Sequence, residues 1–291
     1  MPDLVRQLAR DPGAVFSVVI IVAFALLAVL APAVAPYGPA DLAGPPLVGP
    51  RPDHLLGTDE IGRDLFTRVL YGARTSLWFG VVATLISMLI GIPWGLLSGY
   101  FGGVIDLVSM RLTDALLAFP SMILAMAVVA VLGPEPTNVM IAVGVVQIPR
   151  FSRLVRAEVL SVASREFVQA VRGFGGSAGF IVFRSILPNL TGLITVQFTL
   201  TFATAVLTEA SLSYLGLGVQ PPTPAWGAML QTARNFMVQN PLYSVFVGGA
   251  IFLAVLSLSL LGDSLRDVTD PRLSLGRSAA GRSATTAEVA R

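Results

Sequence analysis

Long apolar stretches without a charged residue divide the chain. Each has at least the roughly 20 residues that a helix needs to cross a bilayer. Five of them lie between Asp11 and Asp41, Arg74 and Asp106, Asp114 and Glu135, Arg184 and Glu209, and Arg234 and Asp263. The pattern predicts a spanning helix in each stretch.

A sixth apolar run, from Pro136 to Pro149, is too short to span by itself. It reaches spanning length if its helix continues through Arg150, Arg153 and Arg156, which recur at every third position and form one stripe. Long arginine side chains near a helix end can extend to the membrane interface. We therefore predict an all-α, polytopic membrane protein with six transmembrane helices.

The first stretch has two interpretations. Ala33-Val34-Ala35 resembles the cleavage site of a signal peptide. The apolar run before it exceeds the usual 7–15 residues, and Asp3 and Asp11 lie among the basic residues at its start. We expect a retained membrane anchor.

Composition narrows the functional classes. Only 12% of residues are charged, against roughly 25% in soluble domains. There is no cysteine, which excludes disulfides, thiolate catalysis and cysteine-based zinc sites. All 19 basic residues are arginine, so the lysine that a phosphate-binding Walker A loop requires is missing. A net charge of +2 with dispersed arginines does not favour nucleic-acid binding.

Arginine distribution predicts the orientation, because cytoplasmic loops carry the excess of basic residues. With the N-terminus inside, 14 of the 19 arginines are cytoplasmic, although the outer segment 36–74 holds four. We expect both termini in the cytoplasm. The predicted divisions are a cytoplasmic N-terminus (1–13), a transmembrane domain (14–275) with a cytoplasmic loop at about 158–187, and a disordered cytoplasmic tail (276–291).

The second predicted helix carries Gly91, Gly95 and Gly99, with Gly103 continuing the row. Glycines four residues apart share one helical face and let a neighbouring backbone approach closely. The row indicates either packing within one bundle or a subunit interface. Pro93 is expected to kink this helix.

The segment from Ser161 to Asn189 is too polar to span and falls on the cytoplasmic side. Ser164 is the expected N-cap of a short helix with Glu166 in its first turn. Gly175 and Gly176 are expected to end it, and a second short helix follows. Such a helix is suited to docking into a groove on another protein.

Residues 166–189 resemble the loop motif of binding-protein-dependent ABC importer permeases. That motif reads Glu-Ala-Ala, three residues, Gly, and then Ile-x-Leu-Pro about ten residues later. The matching positions are Ala170, Gly175, Leu187 and Pro188, while Gln169, Val171 and Ser185 depart from it.

Two further blocks resemble the C-type permease of dipeptide and oligopeptide importers. The block before the second span includes Leu56-Gly57-Thr58-Asp59, Gly62-Arg63-Asp64 and Gly72-Ala73-Arg74-Thr75-Ser76-Leu77. The block after the fifth span includes Glu209, the run from Leu212 to Pro224, and Trp226-Gly227.

The resemblance implies an importer subunit in the inner membrane of a bacterium. Its implied partners are a B-type permease, two ATP-binding subunits that hold ATP and Mg²⁺, an extracytoplasmic binding protein, and membrane lipid. It implies peptide as the substrate, with a nickel complex, haem or glutathione as alternatives. The implied contacts that couple the chain to the ATPase are Glu166, Gln169, Ala170 and Gly175, with Leu187 and Pro188 as support.

Several isolated charges have two interpretations. Glu209, near the outer end of the fifth span, either lines the path and meets a peptide amino group or is a helix-end acid that contacts solvent or an arginine. Arg111 and Asp114 are spaced for a local ion pair, which we favour over a substrate role that includes Asp106. His54 is expected to be an exposed loop residue, since no second His or Cys supports a metal site.

Enzymatic functions fit poorly. Residues 175–179 match the G-x-S-x-G nucleophile motif, but its histidine base is missing, since His54 is predicted on the other side of the membrane. An intramembrane serine protease needs a histidine within a span, and none is there. A stand-alone secondary transporter usually places charges mid-membrane, whereas these spans are charge-free. We expect a transport subunit without a catalytic, cofactor or metal site.

Overall fold

The computed structural model describes residues 7–269, and this part of the chain is helical. Its elements are α1 (Pro12–Val34), α2 (Leu65–Phe101), α3 (Gly103–Leu117), α4 (Ser121–Leu132), α5 (Pro136–Ala163), α6 (Glu166–Gly173), α7 (Ala178–Tyr214), α8 (Trp226–Asn235) and α9 (Pro241–Thr269). Within residues 7–269, β-structure is limited to isolated bridges. The predicted all-α class is confirmed. The predicted tail, 276–291, lies outside the described residues.

The predicted spans have helical counterparts. Helices α1, α2, α7 and α9 are each long and apolar enough to cross a membrane. Helices α3 and α4 pass the same test only as a pair, with a bend of 93° between them. Helix α5 has 28 residues but is less apolar, because it contains the arginine stripe. The bend follows from Pro120, which precedes α4 and disfavours helical geometry in the residue before it.

Helices α2 and α5 pack side by side along the glycine row. A Cβ added at Gly91, Gly95 or Gly99 would come within 2.6–2.9 Å of α5 atoms. The structure therefore places these three glycines at a contact within the chain. Gly103 does not continue the row: its φ is +55° and a Cβ there would meet nothing within 4 Å. Helix α2 continues through Pro93 to Phe101.

Ion pairs join α3 to α5. Asp106 accepts hydrogen bonds from Arg156 at 2.5 and 2.6 Å, and Asp114 pairs with Arg153. The expected local pair between Arg111 and Asp114 is therefore wrong. Because α3 lies beside α5, both carboxylates of α3 pair with arginines of α5 and not with Arg111 on α3 itself.

The two ends of α2 mark opposite ends of the bundle. Residues 35–64 and 215–240 form what we call the loop-rich end, and residues 164–190 form the α6 end. Trp226 contacts α2 beside Gly72, whereas Arg172 contacts Tyr100. These contacts on α2 are 28 residues apart, which corresponds to about 42 Å along a helix.

Candidate functional site

Helix α6 begins one residue later than expected. The side chain of Ser164 donates to the carbonyl oxygen of Ser161 at 2.8 Å, and Arg165 takes the N-cap position. The predicted N-cap is therefore wrong. Glu166 lies in the first turn and Arg172 in the last, where each charge interacts favourably with the helix dipole.

The end of α6 is a tight glycine turn. Gly175 has φ +79°, its N–H donates to the carbonyl oxygen of Arg172, and the N–H of Gly176 donates to that of Val171, both at 3.0 Å. This pair of bonds is the Schellman motif, and glycine adopts the left-handed conformation without strain. The turn therefore fixes the direction in which the chain leaves α6.

One face of α6 is anchored to the bundle. Val168 is fully buried and packs in a cluster that includes residues from α2, α5 and α7. The Arg172 guanidinium lies 5.5 Å from the ring centroid of Tyr100, a cation–π distance. The side-chain amide of Gln169 donates to the carbonyl oxygen of Ala163 at 2.8 Å. These contacts hold α6 against the ends of α2 and α5.

The other face of α6 is open. Glu166, Gln169 and Ala170 are exposed and share one helical face, because they are spaced by three and four residues. Gly175 and Pro188 are also exposed, whereas Leu187 is half-buried against the same cluster as Val168. The structure thus separates an exposed set of predicted contact residues from one half-buried support, Leu187.

Four phenylalanines, which the sequence reasoning missed, are also exposed in α6, the glycine turn and the start of α7. Their exposed fractions are 43% for Phe167, 93% for Phe174, 52% for Phe180 and 68% for Phe183. We call these four residues the aromatic surface. Exposed apolar side chains of this size are covered by a partner or by lipid in the assembled protein. The sequence feature that could have indicated these residues is the presence of phenylalanine in a loop that is otherwise too polar to span.

A buried charge network shapes the loop-rich end. Asp59 is fully buried, accepts from Arg63 Nε at 2.6 Å and lies 3.3 Å from Arg68 Nε. Glu60 accepts from Arg63 Nη2 at 2.6 Å, and Arg68 Nη1 donates to the carbonyl oxygen of Pro39 at 2.8 Å. The segment therefore folds around its own charges and attaches to the start of α2.

His54 is part of this folded segment. It is 2% exposed, and its Nδ1 lies 3.0 Å from Asp64 Oδ1. The expectation that His54 is exposed is wrong, because Asp64 caps α2 by accepting from the Thr67 N–H at 2.8 Å and the chain folds back to bring the histidine to it. From residue 7 to residue 269, no group of three potential ligands could hold a metal ion.

The two blocks that resemble the C-type permease meet at Trp226. Its backbone N–H donates to Ser76 Oγ at 3.2 Å, and its indole N–H donates to the carbonyl oxygen of Val69 at 3.0 Å. Gly72 leaves room for the ring, since a Cβ there would lie 2.8 Å from it. Residues separated by about 150 positions in sequence thus form one packed interface.

Glu209 lies in the same interface. It is 1% exposed and accepts a hydrogen bond from Ser213 at 2.8 Å. Ser76 also lies within hydrogen-bonding reach of its carboxylate, and no arginine in the described part of the chain pairs with it. The interpretation of Glu209 as a helix-end acid that contacts solvent or an arginine is therefore wrong. A role for Glu209 in the path stays a prediction, with its carboxylate inside the subunit.

Two known families together match most of the chain. Residues 91–275 match the family described as binding-protein-dependent transport system inner membrane component. Residues 2–46 match the N-terminal transmembrane domain of oligopeptide transport permease C.

Individual relatives are similar over most of their length. The dipeptide transport system permease protein of Alkalihalophilus pseudofirmus is 43% identical over 92% of this chain and 88% of its own. The di/tripeptide transport system permease protein of Pseudomonas aeruginosa is 42% identical over 92% and 91%. The glutathione transport system permease protein of Pectobacterium atrosepticum is 47% identical over 77% and 75%.

Proposed function

This chain belongs to the family of binding-protein-dependent transport system inner membrane components, and on that premise we propose that it is the C-type permease subunit of an importer for di- or oligopeptides. The two peptide permeases that are 42–43% identical over 92% of the chain support the substrate class. The observation that carries the proposal is the exposed face of α6 beside the aromatic surface. A permease that has no ATPase of its own must contact a separate ATPase subunit, and this face offers the contact.

ATP hydrolysis is assigned to separate ATP-binding subunits that hold ATP and Mg²⁺. The absence of lysine from all 291 residues supports this assignment, since a Walker A loop uses lysine on the nucleotide phosphates. A B-type permease would complete the transport path, and an extracytoplasmic binding protein would deliver peptide. This chain contributes no catalytic group.

Coupling is assigned to α6. Glu166, Gln169, Ala170 and Gly175 would contact an ATP-binding subunit together with the aromatic surface, while Leu187 and Pro188 support the segment. Since α6 is anchored through Val168 and Arg172, closure of the ATP-binding subunits would move α2 and α5 with it. Transport would then be a rigid-body switch between two orientations of the bundle.

The proposal places both termini and the α6 end in the cytoplasm. Because the chain has no cysteine, single cysteines report the orientation directly. We expect Thr223→Cys, at the loop-rich end, to react with a membrane-impermeant maleimide in intact cells. Ser177→Cys, at the α6 end, should react only after permeabilisation. Both residues are exposed, so the reverse pattern would overturn the orientation.

The main test is recovery of the tagged chain from gently solubilised membranes with all its partners. We expect a second permease, ATP-binding subunits and a substrate-binding protein. Recovery of a folded chain alone, together with uptake driven by an ion gradient, would favour a stand-alone secondary transporter.

The 47% identical glutathione permease supports a second substrate. Competition for uptake by the reconstituted complex between a dipeptide and glutathione decides between them. A dipeptide should inhibit uptake at lower concentration; stronger inhibition by glutathione would replace peptide in the assignment. Nickel complexes and haem, the remaining alternatives, are added as further competitors in the same assay.

A further inference from the structure

A crevice of about 980 Å³ opens at the loop-rich end between α1, α2, α7 and α9. Its walls are mainly apolar and include Ile21, Phe24 and Val29 of α1 and Leu258 of α9. These α1 residues occupy the middle and the later half of the helix, so the crevice extends from the loop-rich end towards the centre of the bilayer.

Arg74 lies at the mouth of this crevice. Its side chain is exposed, and among residues 7–269 it forms neither an ion pair nor a side-chain hydrogen bond. It is also the last charged residue of α2 before the charge-free stretch 75–105. A spanning helix changes from charged to apolar at the membrane surface, so Arg74 lies at the depth of the lipid headgroups.

Two aromatic side chains flank Arg74 on the crevice wall. Tyr71 precedes it by three residues and Trp78 follows it by four, so all three share one face of α2, and all three line the crevice. Tyrosine and tryptophan are enriched where the membrane meets water. Trp78 is 60% exposed, as expected for a ring that packs against lipid.

We propose that this crevice binds a membrane phospholipid, with its phosphate on Arg74 and an acyl chain between α1 and α2. An unpaired guanidinium above an apolar slot matches the anionic head and apolar tail of that molecule. A peptide fits less well, because apolar walls would leave its backbone amides without hydrogen-bond partners. A partner's apolar helix would fill the slot but would supply no anion to Arg74.

The test is native mass spectrometry of the full chain in its purified complex. The complex is depleted of lipid and then titrated with phosphatidylglycerol. We expect Arg74→Gln to lower lipid retention at least fivefold, because the phosphate loses its counter-charge. Ala25→Trp should lower it similarly, since Ala25 is exposed and lines the crevice and an indole would occupy the acyl-chain position while Arg74 stays.

Arg111→Gln is the matched control, because Arg111 is exposed on α3 and no ion pair reaches it in the described part of the chain. It should retain lipid as the unmodified chain does. Unchanged retention in both Arg74→Gln and Ala25→Trp would overturn the proposal. Loss of a partner permease from Ala25→Trp with unchanged lipid retention would also overturn it and assign the crevice to a subunit contact. The inference requires only that α1 and α2 lie in a membrane, so it is independent of the substrate.

Discussion

The loop-rich end and the α6 end use similar side chains in opposite ways. At the loop-rich end, Asp59 and Trp226 are both fully buried and engaged by other groups of the chain. At the α6 end, Phe174 is 93% exposed and Phe183 is 68% exposed. Asp59 and Trp226 thus serve the fold of the first region itself. The second region leaves these two rings uncovered by the rest of the chain.

This difference has a physical basis. Removing one partner of a buried ion pair leaves the other charge buried and uncompensated, so the carboxylate of Asp59 can hardly be changed. An exposed phenylalanine contributes little to folding and gains free energy only when a partner covers it. Substitutions at the two ends should therefore separate stability from transport.

The largest effect on stability is expected for Trp226→Ala. The substitution leaves a cavity beside Gly72 and removes the indole bond to Val69, so the free energy of unfolding should fall by about 3–5 kcal/mol. Denaturant unfolding of the chain in detergent measures it. Trp78→Ala is the control, since Trp78 is 60% exposed and should cost less than about 0.5 kcal/mol. Equal losses would show that burial at this end does not determine stability.

The next largest loss of stability is expected for Asp59→Asn. The amide keeps the volume but leaves Arg63 and Arg68 buried without their shared carboxylate, at a cost of about 3 kcal/mol. The same unfolding assay applies. Asp53→Asn removes a carboxylate whose side chain is 58% exposed and should change stability by less than about 0.5 kcal/mol. A large loss in the control, or none in Asp59→Asn, would contradict the network.

Gly175→Asp should cost only about 1 kcal/mol of stability, because the turn needs φ +79°, yet we expect it to uncouple ATP hydrolysis from uptake. The reconstituted complex gives both rates. Gly179→Asp adds the same charge to the same segment at a position with open space and no positive φ. If the shape of the turn matters, Gly179→Asp retains uptake. Normal uptake by Gly175→Asp would remove the turn from the coupling surface.

The smallest change in stability is expected for Phe174→Ala, less than about 0.5 kcal/mol, with uptake reduced several-fold. Its ring is 93% exposed, so the fold does not depend on it, whereas a docked partner would cover it. Copurification of the ATP-binding subunits should weaken in parallel. Phe252→Ala is the control: Phe252 is 62% exposed on α9, away from α6. Full uptake in Phe174→Ala would contradict the docking role of the aromatic surface.

Local patterns predicted much of this architecture. Charge-free length predicted the four single-helix spans α1, α2, α7 and α9. Four-residue spacing predicted the close-packed row of Gly91, Gly95 and Gly99, because both properties are set by residues within one helix. Two glycines were enough to predict the end of α6. These features need no knowledge of which element lies opposite.

Features that depend on a distant partner were not predictable in this way. The stripe on α5 predicted where Arg153 and Arg156 point relative to each other, but not that Asp114 and Asp106 of α3 face them. His54 is buried because Asp64, which caps α2, lies beside it. The aromatic surface required knowing which apolar residues the fold leaves uncovered.

Helix α2 connects the two ends of the bundle. Its 37 residues extend about 55 Å, with Trp226 holding one end and Arg172 packed against the other. Between these two contacts the glycine row packs so closely against α5 that an added methyl group would collide with it. Two helices packed this closely move as one body more readily than they separate. We therefore expect a displacement of α6 to move α2 and α5 together.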